Sequence, residues 1–188
     1  MRIISGTYKG KKILEPKDNK TRPLKDLVKE SIFNIINHSN KFKINLENSN
    51  ILDLFSGVGS FGIECLSRKV KRVIFIENYN GVLSILKKNL ANLKLINNYQ
   101  IIEKDIYDKN LFFKQENKFD VIFLDPPFKD KNLDQILLNI KDNKILDKNG
   151  IIIVHRHRNE EDILTKNFKI IERKKYGISK IIFLSNLD

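Results

Sequence analysis

Ile51-Leu52-Asp53-Leu54-Phe55-Ser56-Gly57-Val58-Gly59-Ser60-Phe61-Gly62 reads as a buried strand, a tight glycine turn and the start of a helix. Gly57 and Gly59 let a backbone approach a ligand closely, and the helix that follows offers unpaired N–H groups at its N-terminus. By itself such a G-x-G turn serves a dinucleotide, a nucleoside or no ligand at all. Its weight depends on the segments around it.

Those segments alternate. Val73-Ile74-Phe75-Ile76 is a second apolar run, ending at Glu77. From Tyr79 to Leu95, Val82, Leu83, Leu86, Leu90 and Leu93 recur at helical spacing, with Lys87, Lys88 and Lys94 on the other side. Ile101-Ile102 starts another strand that leads to Asp105, and Val121 to Leu124 another that leads to Asp125. A helix with Leu133, Ile136, Leu137 and Ile140 follows, then Ile151 to Val154 after Gly150. Near-continuous β-branched runs separated by helices predict a parallel sheet covered on both faces. Phe168–Ile171 and Ile178–Leu184 are joined by too short a turn for a parallel crossover, so they predict an antiparallel hairpin around Gly177. Ahead of the sheet, residues 2–14 read as a β-hairpin with glycines at 6 and 10. Residues 24–37 read as an amphipathic helix entered through Pro23. Residues 38–49, rich in Asn, Ser and Lys, read as the loop that follows. The expected organisation is a 1–40 extension and a 41–188 sheet domain.

In an open parallel sheet, ligands bind beyond the carboxyl ends of the strands. Four acids fall at such ends: Asp53, Glu77, Asp105 and Asp125. Glu77 follows the glycine turn at about the spacing of a ribose-binding acid, although each acid could instead cap a turn or a helix. Asp125-Pro126-Pro127-Phe128 is more specific. Proline fixes φ, lacks an N–H and holds the residue before it extended. A carboxylate and a backbone carbonyl are thereby presented rigidly beside an aromatic face, which suits gripping a planar group bearing an NH2. The glycine turn and Glu77 do not choose between a nicotinamide and a methyl donor. The proline motif favours methyl transfer to an amine.

Composition narrows the partners. The 188 residues carry a net charge of +12, 41% hydrophobic and 31% charged residues. That describes one ordinary globular domain whose surface suits a polyanion, with a solubilising surface as the plainer reading. A single cysteine, Cys65, sits in an apolar stretch; it excludes a disulfide framework and is expected to be a buried structural thiol. With three histidines and one cysteine no zinc-type cluster is expected. No apolar run has the length of a membrane span. A cytoplasmic monomer without membrane or metal is expected.

The glycine segment, Glu77 and Asp125–Phe128 together resemble a class I methyltransferase acting on exocyclic amines. Arg2-Ile3-Ile4-Ser5-Gly6-Thr7-Tyr8-Lys9-Gly10-Lys11-Lys12-Ile13-Leu14 is similar to the opening of the RsmD family, bacterial small-subunit rRNA guanine-N2 methyltransferases. Arg22-Pro23 through Asp26, then Val28-Lys29-Glu30-Ser31-Ile32-Phe33-Asn34, resembles a second segment of that family, and Asp53 to Arg68 a third. The resemblance implies a Rossmann-like α/β fold: a mostly parallel seven-stranded sheet with an antiparallel C-terminal strand, plus the N-terminal hairpin and helix. It implies S-adenosylmethionine as donor and a guanine N2 of 16S rRNA, in the 30S subunit, as acceptor.

Cofactor contacts are then expected at Asp53, Phe55, Ser56, Gly57, Gly59, Glu77, Asn78, Asp105, Ile106 and Asp125. Asp125, Pro126, Pro127 and Phe128 are expected to be catalytic: Asp125 and the Pro126 carbonyl accept the amine N–H bonds, and Phe128 stacks on a flipped base. RNA contacts are expected at Arg2, Lys9, Lys11, Lys12, Arg22, Lys25 and Arg156. The family has Thr where this chain has Leu24, and Glu where this chain has His155. His155-Arg156-His157-Arg158 reads either as a phosphate-contacting rim or as a solvated strand end. A DNA adenine-N6 or cytosine-N4 methyltransferase shares the proline motif and is the nearest alternative enzyme. A non-catalytic RNA-binding assembly factor is the alternative of another class, and a nicotinamide-dependent oxidoreductase is more distant.

Overall fold

In the computed structural model, residues 1–16, 24–94, 97–108, 111, 118–127, 129–161 and 168–187 are described. Seven strands form one sheet: β1 Asn50–Leu54, β2 Arg72–Ile76, β3 Tyr99–Ile102, β4 Phe119–Leu124, β5 Leu146–His157, β6 Phe168–Tyr176 and β7 Ser179–Asn186. Four α-helices accompany them among the described residues: α1 Asp26–His38, α2 Ser60–Ser67, α3 Asn80–Ala91 and α4 Leu133–Asp142. The strand order is β3-β2-β1-β4-β5-β7-β6. β1 to β5 run parallel, and β7 alone is reversed, pairing antiparallel with β5 and β6. This is the architecture that the alternating runs and the short Gly177 turn predicted.

Strand periodicity sorts the core into two layers. Ile51, Val73, Phe75, Val121, Phe123, Ile151, Ile153, Ile181 and Phe183 face α1, α2 and α3. Their neighbours Leu52, Leu54, Ile74, Ile76, Ile122, Leu124, Ile152, Val154, Ile182 and Leu184 face α4. Strands buried on both faces explain why they are apolar throughout rather than alternating.

The extension is bound into the first layer. Ile3, Ile13, Val28, Ile32, Phe33 and Ile36 belong to the same apolar cluster as the sheet. Phe61 stacks on Phe33 at 5.4 Å and on Phe123 at 4.1 Å, joining α1, α2 and β4 through one aromatic column. The expected N-terminal hairpin is held by a single antiparallel bridge, Arg2 to Lys12, rather than by two strands. Gly6 and Gly10 both take positive φ in its turns. Several boundaries differ from expectation: α1 spans Asp26–His38 and β6 runs past Ile171 to Tyr176. α3 ends at Ala91, and Leu93 reaches the core through a turn in which its N–H donates to Leu90. β5 begins at Leu146 and slips register against β4 between Phe119 and Val121 before the expected run. Pro23, expected to open α1, lies outside the described residues.

Candidate active site

Strand order reverses between β1 and β4: β2 and β3 lie to one side, β5 to the other. Their carboxyl ends meet there, and the Asp125 N–H donates to the Leu54 carbonyl at 3.4 Å. Such a switch point opens a crevice beyond the strand ends. The glycine turn, Glu77 and Asp125-Pro126-Pro127 all border it. Phe128 and Arg22 lie outside the described residues.

The glycine turn is held on three sides. Phe55 enters it at φ 58°, an unusual conformation for a residue with a side chain, and its ring meets Tyr107 edge-on at 6.4 Å. The Ser56 hydroxyl donates to the Asp53 carbonyl at 2.6 Å, and the Ser56 N–H to the Ile76 carbonyl at 3.1 Å. Gly59 caps α2 at φ 86°, where a Cβ would stand 2.5 Å from Leu86 Cδ1. Glycine offers α2 no side-chain cap. The Asp53 carboxylate supplies that bond from β1, accepting the Gly62 N–H at 2.9 Å.

Asp53 was expected among the cofactor contacts. It is buried instead, and its carboxylate braces the helix N-terminus from below. Burial pushes its carboxyl well above the ordinary aspartate value; the Gly62 bond opposes this, and the nearby Asp125 and Glu77 charges add to it. Glu77, also buried, joins two elements. Its Oε2 accepts the Gly57 N–H at 2.8 Å, and its Oε1 accepts the N–H groups of Asn78 and Tyr79 at 2.9 and 2.8 Å, at the entry to α3. Asn78 is exposed beside it. Asp105 is exposed beyond β3, accepting the Tyr107 N–H at 2.9 Å, while Ile106 is buried next to it.

The proline motif is gripped by β5. His155 is 7% exposed; its Nδ1 lies 2.7 Å from Asp125 Oδ1, and its Nε2 lies 2.9 Å from Ser179 Oγ. It is therefore neither a solvated strand end nor a phosphate rim. Arg156, expected to contact RNA, is 1% exposed. Its guanidinium donates to the carbonyls of Pro127 at 3.2 Å and Asp130 at 2.7 Å, so it braces the loop rather than facing a phosphate. The Asp130 N–H returns to the Pro127 carbonyl at 2.8 Å, and the Tyr107 hydroxyl donates to the Asp130 carboxylate. Burial first, then that bond, raises the Tyr107 phenol well above its usual range.

Arg2, Lys9, Lys11, Lys12 and Lys25 are exposed on the extension. Lys11 also donates to the Asn92 carbonyl and lies 5.4 Å from the centre of the Tyr8 ring. Cys65 is buried, and burial drives its thiol well above the usual value, consistent with the structural role expected of it. Among the described residues no three His, Cys, Asp or Glu side chains are grouped to hold a metal ion. No helix among them is long and apolar enough to cross a membrane.

The family described as "Conserved hypothetical protein 95" matches residues 1–185. The chain belongs to this family, the RsmD family. Two relatives span it almost end to end. "Putative rRNA methyltransferase YlbH" of Bacillus subtilis is 34% identical, covering 96% of each chain. "Ribosomal RNA small subunit methyltransferase D" of Haemophilus influenzae is 35% identical, covering 95% of this chain and 90% of the relative. The solved structure of "Putative methyltransferase yhhF" from Escherichia coli superposes with a TM-score of 0.79 at 27% identity, covering 99% of this chain and 97% of the other. This RsmD-family chain thus has the class I methyltransferase fold, and its Asp125–Pro127 and Gly57–Gly59 segments meet at the switch point of that fold.

Three contacts of the site were not read from sequence: His155 and Arg156 on the motif, and Tyr107 on Asp130. The first had a signal. β4 and β5 pair Leu124 with Val154, so one step further sets Asp125 beside His155. Nothing local to Tyr107 or Arg156 marks the loop carbonyls and carboxylate they meet.

Proposed function

We propose that the protein transfers a methyl group from S-adenosylmethionine to the exocyclic N2 amine of a guanine in 16S rRNA, within the 30S subunit and in the cytoplasm. The observation that carries this reading is the placement of Asp125, at a switch point shared with the glycine turn and Glu77, in a chain whose close relatives are named rRNA methyltransferases. Methyltransferase action on rRNA is the coarser statement that those relatives support. The guanine, its N2 atom and the 30S particle go beyond it.

The residues present fit the methyl donor. Gly57 and Gly59 both take positive φ, 55° and 86°, the backbone geometry of a tight turn that can approach a ligand closely. Glu77 keeps lone pairs beyond its three backbone bonds that can accept ribose hydroxyls. Phe55, Ser56, Gly57 and Asn78 would line the nucleoside, with Asp105 and Ile106 at the far end. When bound, S-adenosylmethionine supplies an electrophilic methyl on its sulfonium.

A guanine amine is a weak nucleophile because its lone pair is delocalised into the ring. The Asp125 carboxylate and Pro126 carbonyl accept its two N–H bonds and aim the lone pair, while Phe128 stacks on the base. The amine turns acidic only as its new bond forms, so Asp125 holds it during attack and receives its proton afterwards. Arg2, Lys9, Lys11, Lys12 and Lys25 would take phosphates of the RNA.

The test is transfer of labelled methyl to undermethylated 30S particles, free 16S rRNA and DNA, with mapping of the modified base. Label on a guanine N2 of 30S particles is expected; label on DNA adenine or cytosine, or on no nucleic acid, refutes the reading. The D125A protein should lose nearly all turnover while still binding S-adenosylhomocysteine.

A further inference from the structure

Two consecutive residues at the end of β5 clasp the catalytic loop from opposite faces of the sheet. Arg156 points to the α4 side and holds the backbone at Pro127 and Asp130. His155 points to the α1–α3 side and holds the Asp125 side chain. We propose that Ser179, His155 and Asp125 form a positioning chain that presents one chosen oxygen of the carboxylate to the substrate amine. This rests on the reading of Asp125 as the amine's acceptor.

The geometry gives the chain a direction. A carboxylate accepts, so the 2.7 Å contact assigns the proton of Nδ1 toward Asp125 Oδ1. In the neutral ring Nε2 is then the acceptor, and the Ser179 hydroxyl donates to it across 2.9 Å. Strand register supports the same order. Leu124 pairs with Val154, which sets Asp125 beside His155; His157 pairs with Ser179, which sets Ser179 diagonally across the same face from His155. His155 and Ser179 are both buried, so the ring is fixed by packing as well as by its two bonds. With Oδ1 engaged by the imidazole, Oδ2 is the oxygen turned toward the amine. A swinging carboxylate would alternate between its oxygens and lose the aim of the lone pair.

A carboxyl in the place of His155 would be an acceptor unless it is protonated. An imidazole donates through Nδ1 when its proton sits there, and the carboxylate beside Nδ1 with the hydroxyl at Nε2 select that tautomer here. In this chain the orientation of Asp125 is therefore set by a donated proton from β5, and a hydroxyl on β7 fixes which ring nitrogen holds it. His155 is a positioning residue, because it acts through Asp125 and touches neither reactant.

The experiment compares H155A, H155N and S179A with wild type and with D125A. Asparagine keeps an N–H donor near the place of Nδ1. H155A should lower kcat by about 100-fold, the order expected for misplacing a reacting group by an ångström. Its KM for RNA and its affinity for S-adenosylhomocysteine should not change. H155N should recover most of kcat, and S179A should fall between H155N and H155A. In the ligand-free protein, nitrogen-15 spectra of His155 should show the proton on Nδ1, and S179A should add a population protonated at Nε2. Thermal unfolding of each variant separates loss of fold from loss of aim.

Wild-type kcat in H155A beside an inactive D125A overturns the positioning chain and leaves the proposed function standing. H155N as slow as H155A, or a His155 proton found only on Nε2, overturns it equally. Wild-type turnover by D125A instead overturns the reading of the site itself.

Discussion

Glu64 is buried completely in α2, and five nitrogen atoms of four residues converge on it. Its Oε2 accepts the Ile4 N–H at 2.7 Å and lies 3.7 Å from Lys29 Nζ. Its Oε1 accepts the Ser5 N–H at 2.9 Å, with Arg68 Nε at 3.1 Å and Nη2 at 3.0 Å. Lys29 is itself buried, and burial lowers its ammonium below the usual lysine value; the Glu64 and Asp26 charges oppose that shift. Removing Glu64 strands a buried cation and two hairpin N–H groups. Breaking a buried pair by deleting one partner costs about 3–5 kcal/mol, because the remaining charge is uncompensated. At about 2–4 °C per kcal/mol for a chain of this size, E64A should lower Tm by about 6–20 °C. Asp26, 3.7 Å from Lys29, favours the lower half of that range. If the stranded charge is the cause, K29M should recover part of the loss in the E64A background. The assay is thermal unfolding by circular dichroism, with urea melts to confirm two-state behaviour. A shift of E64A below about 3 °C, or K29M making the double variant worse, would refute the account of Glu64 as the keystone of the extension.

Gly6 and Gly10 offer an internal control, since both take positive φ, 81° and 84°. A Cβ at Gly6 would stand 1.9 Å from the Ser67 carbonyl oxygen, whereas at Gly10 it meets nothing within 4 Å. G10A should therefore cost only the left-handed strain of about 1–2 kcal/mol. G6A must move backbone as well and should destabilise clearly more; equal denaturant midpoints would contradict that. Replacing Arg2, Lys9 and Lys12 by Gln should flatten the dependence of log K for RNA on log salt by about 2–3, with cofactor affinity unchanged; an unaltered slope in filter binding removes them from the footprint. For Asp53, the carboxyl is raised in the folded state, so it favours folding below about pH 4 and that contribution is lost as pH climbs through the raised value. D53N keeps an oxygen for the Gly62 N–H, and urea unfolding from pH 5 to 9 should show a flatter decline than wild type. Parallel curves for the two proteins would exclude Asp53 as the source of the slope.

The sheet was legible because its central strands are buried on both faces, which leaves short, β-branched apolar runs such as Val73–Ile76 and Ile151–Val154. Glu77 and Asp125 were legible for a related reason: polar residues that end such runs sit where the fold places its crevice. Asp53 followed the same rule and took another role. An acid at a strand end can serve a ligand above it or the helix N-terminus beside it, and Gly59, which offers no cap of its own, draws Asp53 to α2. His155-Arg156 misled because basic residues at a strand end resemble a phosphate rim. They meet Asp125, Pro127 and Asp130 across 26 to 30 residues, contacts that no local pattern encodes.

The extension and the site are joined through the two helices that follow the first two strands. α2 leaves the glycine turn at Ser60 and spans eight residues to Ser67, about 12 Å of buried helix. Near its start, Ser60 Oγ lies 3.4 Å from Lys29 Nζ, which also donates to the Arg2 carbonyl at 2.7 Å. At its end, Ser67 accepts the N–H groups of Thr7 and Tyr8, at its carbonyl and hydroxyl oxygens respectively. From α3, the buried Asn89 amide donates to the carbonyls of Val58, in the glycine turn, and Leu14, on the hairpin, at 3.0 and 3.1 Å. The basic hairpin is thus tied by direct polar contacts to the turn proposed to hold the methyl donor, and buried polar contacts of this kind fix distance more strictly than apolar packing alone. Residues that dock the extension, Glu64, Lys29 and Asn89, therefore have two consequences when altered: loss of stability, and loss of the fixed spacing between the lysines proposed to meet RNA and Asp125. The second separates from the first at temperatures where the variant is still folded, where it raises KM for RNA and leaves the affinity for S-adenosylhomocysteine unchanged.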